Sequence, residues 1–323
     1  MLVPILLFLL GLILLIKGGD WFVDGAVGIA NRFHLPELLI GATVVSIGTT
    51  LPEVMVSAQA ALAGSSGISY GNAIGSIICN TSLIAALTVA VRPGAVKRKT
   101  LIFPVVVFFF SAALYAGTAY VFGQFQRWNG LVFLSIFVIY LFITIMQMKK
   151  TPKTVSADDK SKTSEENPLW NHLLLLIIGA VAIAFGAKLL VDNGTLIAQA
   201  LGVPDSVIGL TMVALGTSLP ELITAITSLI KGHSSLSLGN IIGANIFNIV
   251  LVSGTAITIH PFAIPAEKTI AGMNSSLVVD LPVMFTVMAI LCLPALLKEK
   301  LYRWQGFLLL CIYLSFTLFQ FML

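Results

Sequence analysis

An all-α polytopic membrane protein, with ten transmembrane helices arranged as two inverted five-helix repeats, is the architecture the sequence predicts. Three observations carry that prediction. Hydrophobic residues make up 58% of the chain and charged residues only 10%, with a mean hydropathy of +1.01, a composition that does not suit a water-soluble chain of 323 residues. Ten apolar runs reach the roughly 20 residues that a helix needs to cross about 30 Å of hydrocarbon. Residues 36–80 also slide onto 204–248 without a gap, giving 19 identities in 45 positions.

The runs fall at about 2–30, 36–62, 70–91, 100–122, 128–148, 169–200, 205–230, 238–258, 278–297 and 302–322. The first and sixth are long and are expected to tilt. Met1-Leu2-Val3-Pro4-Ile5 lacks the basic n-region of a signal peptide, and the first cation, Lys17, comes after the apolar run, so this segment reads as a retained helix. With both termini outside, fourteen of the eighteen basic residues fall in cytoplasmic loops, among them Arg32, Arg92, Lys97 to Lys99, Lys149, Lys150, Lys231, Lys298 and Arg303. Arg127 and Lys268 fall outside, and Lys17 and Lys188 lie within helices, where their stems can snorkel. This bias sets the orientation. The net charge of +4 therefore reports topology and not a nucleic-acid partner. The expected location is a plasma (inner) membrane, multi-pass, with lipid as the surroundings and no obligate protein partner.

The duplication organises the chain. Its matched positions include Pro36/Pro204, Gly41/Gly209, Thr43/Thr211, Pro52/Pro220, Glu53/Glu221, Asn72/Asn240, Gly75/Gly243 and Asn80/Asn248, and Asp24/Asp192 keeps the same offset. Five crossings per copy, an odd number, start the second copy from the opposite side. The first repeat is then 1–148, with its motif at 41–80; 149–168 is a solvated cytoplasmic linker rich in Lys, Ser, Thr, Asp and Glu; the second repeat is 169–323, with its motif at 209–248. Inverted repeats with paired helix interruptions point to a secondary transporter whose ion site lies at mid-membrane depth.

Glu53 and Glu221 mark that depth. An ionised side chain in lipid costs roughly 2.5 to 3.5 kcal/mol even on insertion scales, so such a residue is a functional-site hypothesis. Ser46, Thr49, Thr50 and Glu53 are spaced i, i+3, i+4, i+7 along one helix face, and Ala214, Thr217, Ser218 and Glu221 repeat the spacing. Pro52 and Pro220 lack an N–H and crowd the carbonyl four back, which predicts helix breaks at Gly48 and Gly216 with freed carbonyls. Carboxylates, hydroxyls and carbonyls are an all-oxygen set suited to a hard cation such as calcium. Ser76 and Asn80 share a face of the next helix, and Asn80 and Asn248 are candidates to bind the ion or orient the carboxylates. Gly71, Gly75, Gly239 and Gly243 have the spacing that lets membrane helices approach closely. Cys79, Cys292 and Cys311 show no metal-ligand spacing and read as packing residues. The four histidines fall at loops or helix ends, and Asp24, Asp192 and Asp280 fall near helix ends, where solvation suffices.

At GTTLPE and GTSLPE, followed by GNAIGSIICN and GNIIGANIFN, the chain resembles the cation/calcium exchanger superfamily, specifically its sodium/calcium exchanger (prokaryotic calcium/sodium antiporter) branch. The resemblance covers nearly the whole chain. It implies calcium extrusion coupled to inward sodium movement, with calcium and sodium as transported ions and no cofactor, and broken second and seventh helices that face each other. It implies calcium ligands at Glu53, Glu221, Thr49 and Thr217. Sodium ligands would come from Ser46, Thr50, Glu53, Ser76, Ala214, Thr217, Ser218 and Glu221, with Asn80 and Asn248 in the polar cavity. It also implies that the first and sixth helices slide across a more static core. Ala244 stands where microbial relatives often keep Ser, and Asn248 where potassium-dependent exchangers carry Asp. Potassium-dependent or proton-coupled exchange is the alternative on the same scaffold. Outside that class, the carboxylate pair admits an intramembrane acid/base enzyme, which would need a shared proton, or a channel. The neighbouring hydroxyls and duplicated interruptions favour a transporter, not an enzyme.

Overall fold

A computed structural model of the chain describes residues 2–150, 168–201, 216–266, 269–270 and 272–322. These form ten helical segments: α1 (Leu2–Phe33), α2 (Glu37–Leu62), α3 (Ser66–Val91), α4 (Arg98–Phe122), α5 (Arg127–Lys150), α6 (Leu169–Ala200), α7 (Leu219–Ile230), α8 (Ser234–Ile259), α9 (Ser276–Lys298) and α10 (Arg303–Met322). Among them, eight are long and apolar enough to cross a membrane. A two-residue β-hairpin, β1 (Thr269–Ile270) with β2 (Met273–Asn274), precedes α9; the sequence reading did not anticipate it.

Burial sorts the helices into two layers. In the most apolar window of α8, 83% of residues are buried, against 22% in α1, α5 and α6. The helices that carry the duplicated motifs therefore form the interior, and α1, α5 and α6 present apolar side chains such as Leu9, Ile13, Val138 and Phe185 to the surroundings. That is the pattern expected where lipid, not water, is the outer solvent.

The most extensive pairing is α1 against α6. It is antiparallel and built on glycine: a Cβ on Gly11 would lie 2.8 Å from the Gly186 carbonyl oxygen, and one on Gly186 would lie 2.8 Å from the Gly11 oxygen. Gly18 and Gly179 meet in the same reciprocal way, with 3.1 and 2.8 Å. The offset of the duplication maps Gly11 onto Gly179 and Gly18 onto Gly186. Backbones this close gain dispersion contact that any larger side chain would prevent.

Loops gather into two groups. At one end, the 92–97 and 299–302 segments exchange Val96 N–H to Glu299 O (2.8 Å) and Leu301 N–H to Gly94 O (2.8 Å), Arg92 reaches the Leu229 carbonyl, and Glu37 meets His233 at 2.8 Å. At the other end, Phe125 N–H bonds Phe262 O (2.8 Å) and Ile264 N–H bonds Gly123 O (3.0 Å), while Tyr70 and Tyr120 donate to the Ser276 and Leu277 carbonyls. Each turn between successive helices closes an end of the bundle, so an alternating path through the layer accounts for both groups. The residues of the expected linker from 151 to 167 lie outside the described residues, as do 205–215 of the expected seventh crossing.

Gly179→Val places branched carbon against the Phe22 backbone, where a Cβ already meets nitrogen at 2.5 Å. The expected cost is about 1–3 kcal/mol, the usual range for overpacking, seen as a lowered unfolding midpoint in detergent. Gly117→Ala, at an exposed position with no described atom within 4 Å of the new Cβ, is expected to be neutral or to stabilise by up to about 1 kcal/mol.

Candidate cation-binding site

The site is built where backbone regularity is interrupted. In α2, residues Gly41–Val45 form a π-helical turn; in α3 and α8 the π turns fall at Asn80–Ala85 and Asn248–Ser253, matched residue for residue by the offset of the duplication. Such turns are rare and cluster at functional sites, since widening the helix releases carbonyls and re-aims side chains. Hydroxyls repair part of the damage. Ser46 Oγ donates to Gly41 O (2.7 Å), Ser253 Oγ donates to Asn248 O (3.0 Å), and Tyr140 from α5 donates to Ala42 O (2.9 Å).

The expected helix break at Gly48 is not where the chain departs from α geometry. Ser46–Leu62 runs as continuous α-helix through Gly48 with Pro52 inside it, and the irregular turn lies upstream at Gly41–Val45. Pro52 still leaves the Gly48 carbonyl without its intrahelical donor, but surrounding packing holds the helix. In the second half, Pro220 occupies the first turn of α7 with Ser218 as the N-cap residue. There a missing N–H costs nothing, because first-turn donors have no intrahelical partner, so chain direction changes at Gly216–Ser218. Both glycines have another duty. A Cβ on Gly48 would touch the Phe22 ring of α1 at 3.0 Å, and one on Gly216 would strike Val191 of α6 at 2.5 Å.

Glu53 of α2 and Glu221 of α7 are fully buried and close enough for their charges to repel. All four of their carboxylate oxygens lack a hydrogen-bond partner among the described residues. The same holds for Thr50 Oγ1, Ser218 Oγ, and both amide atoms of Asn80 and Asn248. Native proteins leave only a few buried polar groups per hundred residues unsatisfied, and the carboxylate and hydroxyl oxygens here are acceptors that a cation could face. Ser46, Thr49 and Ser76 are buried with them, Thr217 is half-buried at the turn, and Ala214 lies outside the described residues. No three of His, Cys, Asp and Glu converge among the described residues. The donor set is therefore oxygen from two carboxylates, hydroxyls and amides, which suits hard cations.

The two halves are stitched across this site by residues absent from the predicted set. Asn240 accepts the Ser46 hydroxyl on its carbonyl (2.9 Å) and the Thr49 hydroxyl on its side-chain oxygen (3.2 Å). Thr49 also lies beside the Glu221 carboxylate, an alternative acceptor for the hydroxyl that donates to Asn240. Asn72, the counterpart of Asn240, donates to the Glu53 carbonyl (3.0 Å) and to Ser57 (2.8 Å). Asn245 bonds Thr81 at 2.7 Å. The signal for Asn72 and Asn240 was present in the duplication, where both are identities; Asn245 faces Ile77 in the alignment and carries no such signal. Gly239 and Gly243 bring α8 against α2 as their spacing predicts, with a Cβ on Gly243 meeting Ser46 Oγ at 2.3 Å. For Gly71 and Gly75, nothing described lies within 4 Å of an added Cβ.

The remaining candidates sit apart. Asp24 and Asp192 are half-exposed and paired, with Lys231 and Lys188 respectively. Asp280 meets Gln320 (2.8 Å), and His233 meets Glu37. Cys79 accepts from Tyr313 at 3.9 Å and adjoins Ser218 at the rim of the site.

A membrane bundle enclosing two matched carboxylates among unpartnered oxygens defines a cation-handling membrane protein. Comparison with known proteins agrees. The family model described as sodium/calcium exchanger protein matches residues 3–146 and 171–322, and the chain belongs to that family. It is 38% identical over 318 residues to an uncharacterized membrane protein of Methanocaldococcus jannaschii, covering 95% of this chain and 94% of that one. It is 33% identical over 353 residues to the sodium/calcium exchanger MaX1 of Methanosarcina acetivorans, covering 99% of each. It is 35% identical over 267 residues to the inner membrane protein YrbG of Escherichia coli, covering 81% of each. Among solved structures, the sodium-calcium exchanger NCX_Mj, soaked with sodium and strontium ions, superposes with a TM-score of 0.80 at 35% identity over 97% of each chain.

Tyr140→Phe removes one oxygen and leaves the Ala42 carbonyl, widened out of its helix, without its donor. A loss of about 1–3 kcal/mol is expected, measured as a lower unfolding midpoint with little change in volume.

Proposed function

We propose that the protein is a secondary active antiporter that exports calcium in exchange for sodium by alternating access, with Glu53 and Glu221 binding the cations. The observation that carries this reading is the pair of fully buried carboxylates whose four oxygens have no described protein partner. Together they supply two negative charges. One calcium or two sodium ions neutralise them, so the two cargoes compete for one site and occupancy by either removes the penalty of carrying the acids through the membrane. The exchanger family and the likeness to sodium/calcium exchangers support the choice of ions.

Thr49 and Thr217 complete the calcium site in this reading. Ser46, Thr50, Ser76, Ala214 and Ser218 supply hydroxyls or carbonyls to sodium, and Asn80 and Asn248 line the cavity. Ten crossings form two inverted repeats, 1–148 and 169–323, joined by a cytoplasmic linker at 149–168. Antiparallel α1 and α6, equivalent by the duplication yet running in opposite directions, support that inversion. Both termini lie outside, in a plasma membrane, in keeping with the name of the inner membrane relative. The glycine-lined α1/α6 pair moves as one body: Gly48 and Gly216, each seated under a side chain of one of these helices, let it slide across the faces that hold the glutamates.

Sodium-gradient-driven uptake of radioactive calcium into proteoliposomes tests the proposal. Glu53→Gln and Glu221→Gln are each expected to lower uptake about a hundredfold, the scale of roughly 3 kcal/mol for a lost charged ligand. Uptake that survives either change, or that follows a pH step or potassium in place of sodium, overturns it.

Ala244 gives a gain-of-function test. It is fully buried opposite the hydroxyl-bearing Ser76 in the alignment. Ala244→Ser returns a ligand to the second half and is expected to raise apparent sodium affinity roughly fivefold, about 1 kcal/mol, with calcium affinity unchanged in competition assays.

A further inference from the structure

Hydroxyls inside membrane helices ordinarily turn back to bond the carbonyl one turn earlier. Thr43, Thr81, Thr118, Thr144, Thr258 and Thr286 do so here at 2.7–2.9 Å. Thr224, Ser228 and Ser237 do not. They are 0%, 0% and 1% exposed, and their hydroxyls have no partner among the described residues, nor does Nδ2 of Asn240. Buried hydroxyls left this way are costly, which suggests a partner met during the working cycle.

Their placement says what that is. Glu221, Thr224 and Ser228 are spaced i, i+3, i+7 on α7; Ser237, Asn240 and Ala244 are spaced i, i+3, i+7 on α8. The two helices pack against each other across the 231–233 turn, so both polar stripes run from the carboxylate toward that turn. At its end, Lys231 is held by Asp24 (2.8 Å) and Asp20 (3.3 Å), while Arg92 sits on the neighbouring Leu229 carbonyl. The first half lacks this lining. Val56 and Ala60 stand at the positions of Thr224 and Ser228, and only Ser69, the counterpart of Ser237, is likewise buried and unpartnered.

We propose that the hydroxyls of Thr224, Ser228 and Ser237 form the cation's passage from Glu221 to the membrane face that carries the α7–α8 turn, supplying oxygen contacts while the ion regains its water. The passage deepens the antiport reading and rests on it. A partly dehydrated cation leaving two carboxylates needs intermediate ligands of lower charge, or the site holds it too tightly to release. A stripe of hydroxyls spaced about one helical turn apart supplies them without creating a second trap.

Thr224→Val combined with Ser228→Ala installs the side chains the other half already tolerates. Equilibrium calcium binding in detergent is expected to stay within twofold of the parent, while the initial rate of calcium exchange in proteoliposomes falls about tenfold. A rate within twofold of the parent overturns the proposal, and so does a loss of affinity as large as the loss of rate, which would make these residues site ligands or mere packing. Independently, Ser228→Cys is expected to react with a membrane-impermeant thiol reagent added on the α7–α8-turn face and not from the opposite face, above the labelling of the parent chain. Labelling from the opposite face, or none under any sodium or calcium condition, overturns it as well. Labelling requires no exchange, so failure of sodium-driven uptake would sink the antiport reading while leaving the passage separately decided.

Discussion

Glu53 and Glu221 are held together without a protein counter-charge, and two ionised carboxylates cannot share a low-dielectric interior unless something positive joins them. No described lysine or arginine reaches the pair: Lys231 is committed to Asp20 and Asp24 at the edge of the bundle, and Lys188 to Asp192. Neutralisation must therefore come from protons on the acids or from a cation out of solution, and the antiport proposal takes the cation. This one requirement explains the rest of the interior. Hydroxyls and amides surround the acids because they can face a cation without competing for its charge, and the helices that bear them are the most buried because a wet site open on all sides would not need the ion.

Holding such a site at membrane depth demands backbone that is irregular yet satisfied. Lipid-exposed carbonyls have no partner, so freed ones must be covered by protein. The π turn at Gly41–Val45 meets this because its Gly41 and Ala42 carbonyls accept from the Ser46 and Tyr140 hydroxyls, and because it lets α8 approach so closely that only glycine fits at 239 and 243. Asn240 then reaches Thr49 and Ser46 from across the duplication. Close approach, backbone repair and ligand placement are thus one arrangement, and a bulkier residue at Gly243 would disturb all three.

Much of this was legible in the sequence, for physical reasons that differ by residue. Charged residues in apolar runs are costly enough that Glu53 and Glu221 stood out, and duplication doubled the signal. Proline announced disturbance but misplaced it: Pro52 lies inside its helix without ending it, because the expense of one missing hydrogen bond is met by packing, whereas Pro220 falls where no bond was due. π turns leave no composition of their own, so Asn80–Ala85 and Asn248–Ser253 were invisible until their shared register appeared. The glycines of α1 and α6 lay outside the aligned segment, and nothing in a run of leucines says which face meets which helix. The amides divide by role. Asn80 and Asn248 bridge nothing described, while Asn72, Asn240 and Asn245 do the bridging.

The departures from symmetry carry the remaining information. A perfect inverted duplication would make the two access states mirror images and nearly equal in energy, leaving only ions to choose between them. Here Ala214 and Ala244 remove hydroxyls that Ser46 and Ser76 supply, Thr224 and Ser228 add two where Val56 and Ala60 have none, and Asp20 faces Lys231 where its counterpart is Lys188. Each change is worth no more than a few kcal/mol, which is also the scale that sets populations of two interconverting states. In the proposed alternating-access cycle, divergence between the halves therefore biases the resting state and separates how an ion is gained from how it is released, while the glutamates stay matched.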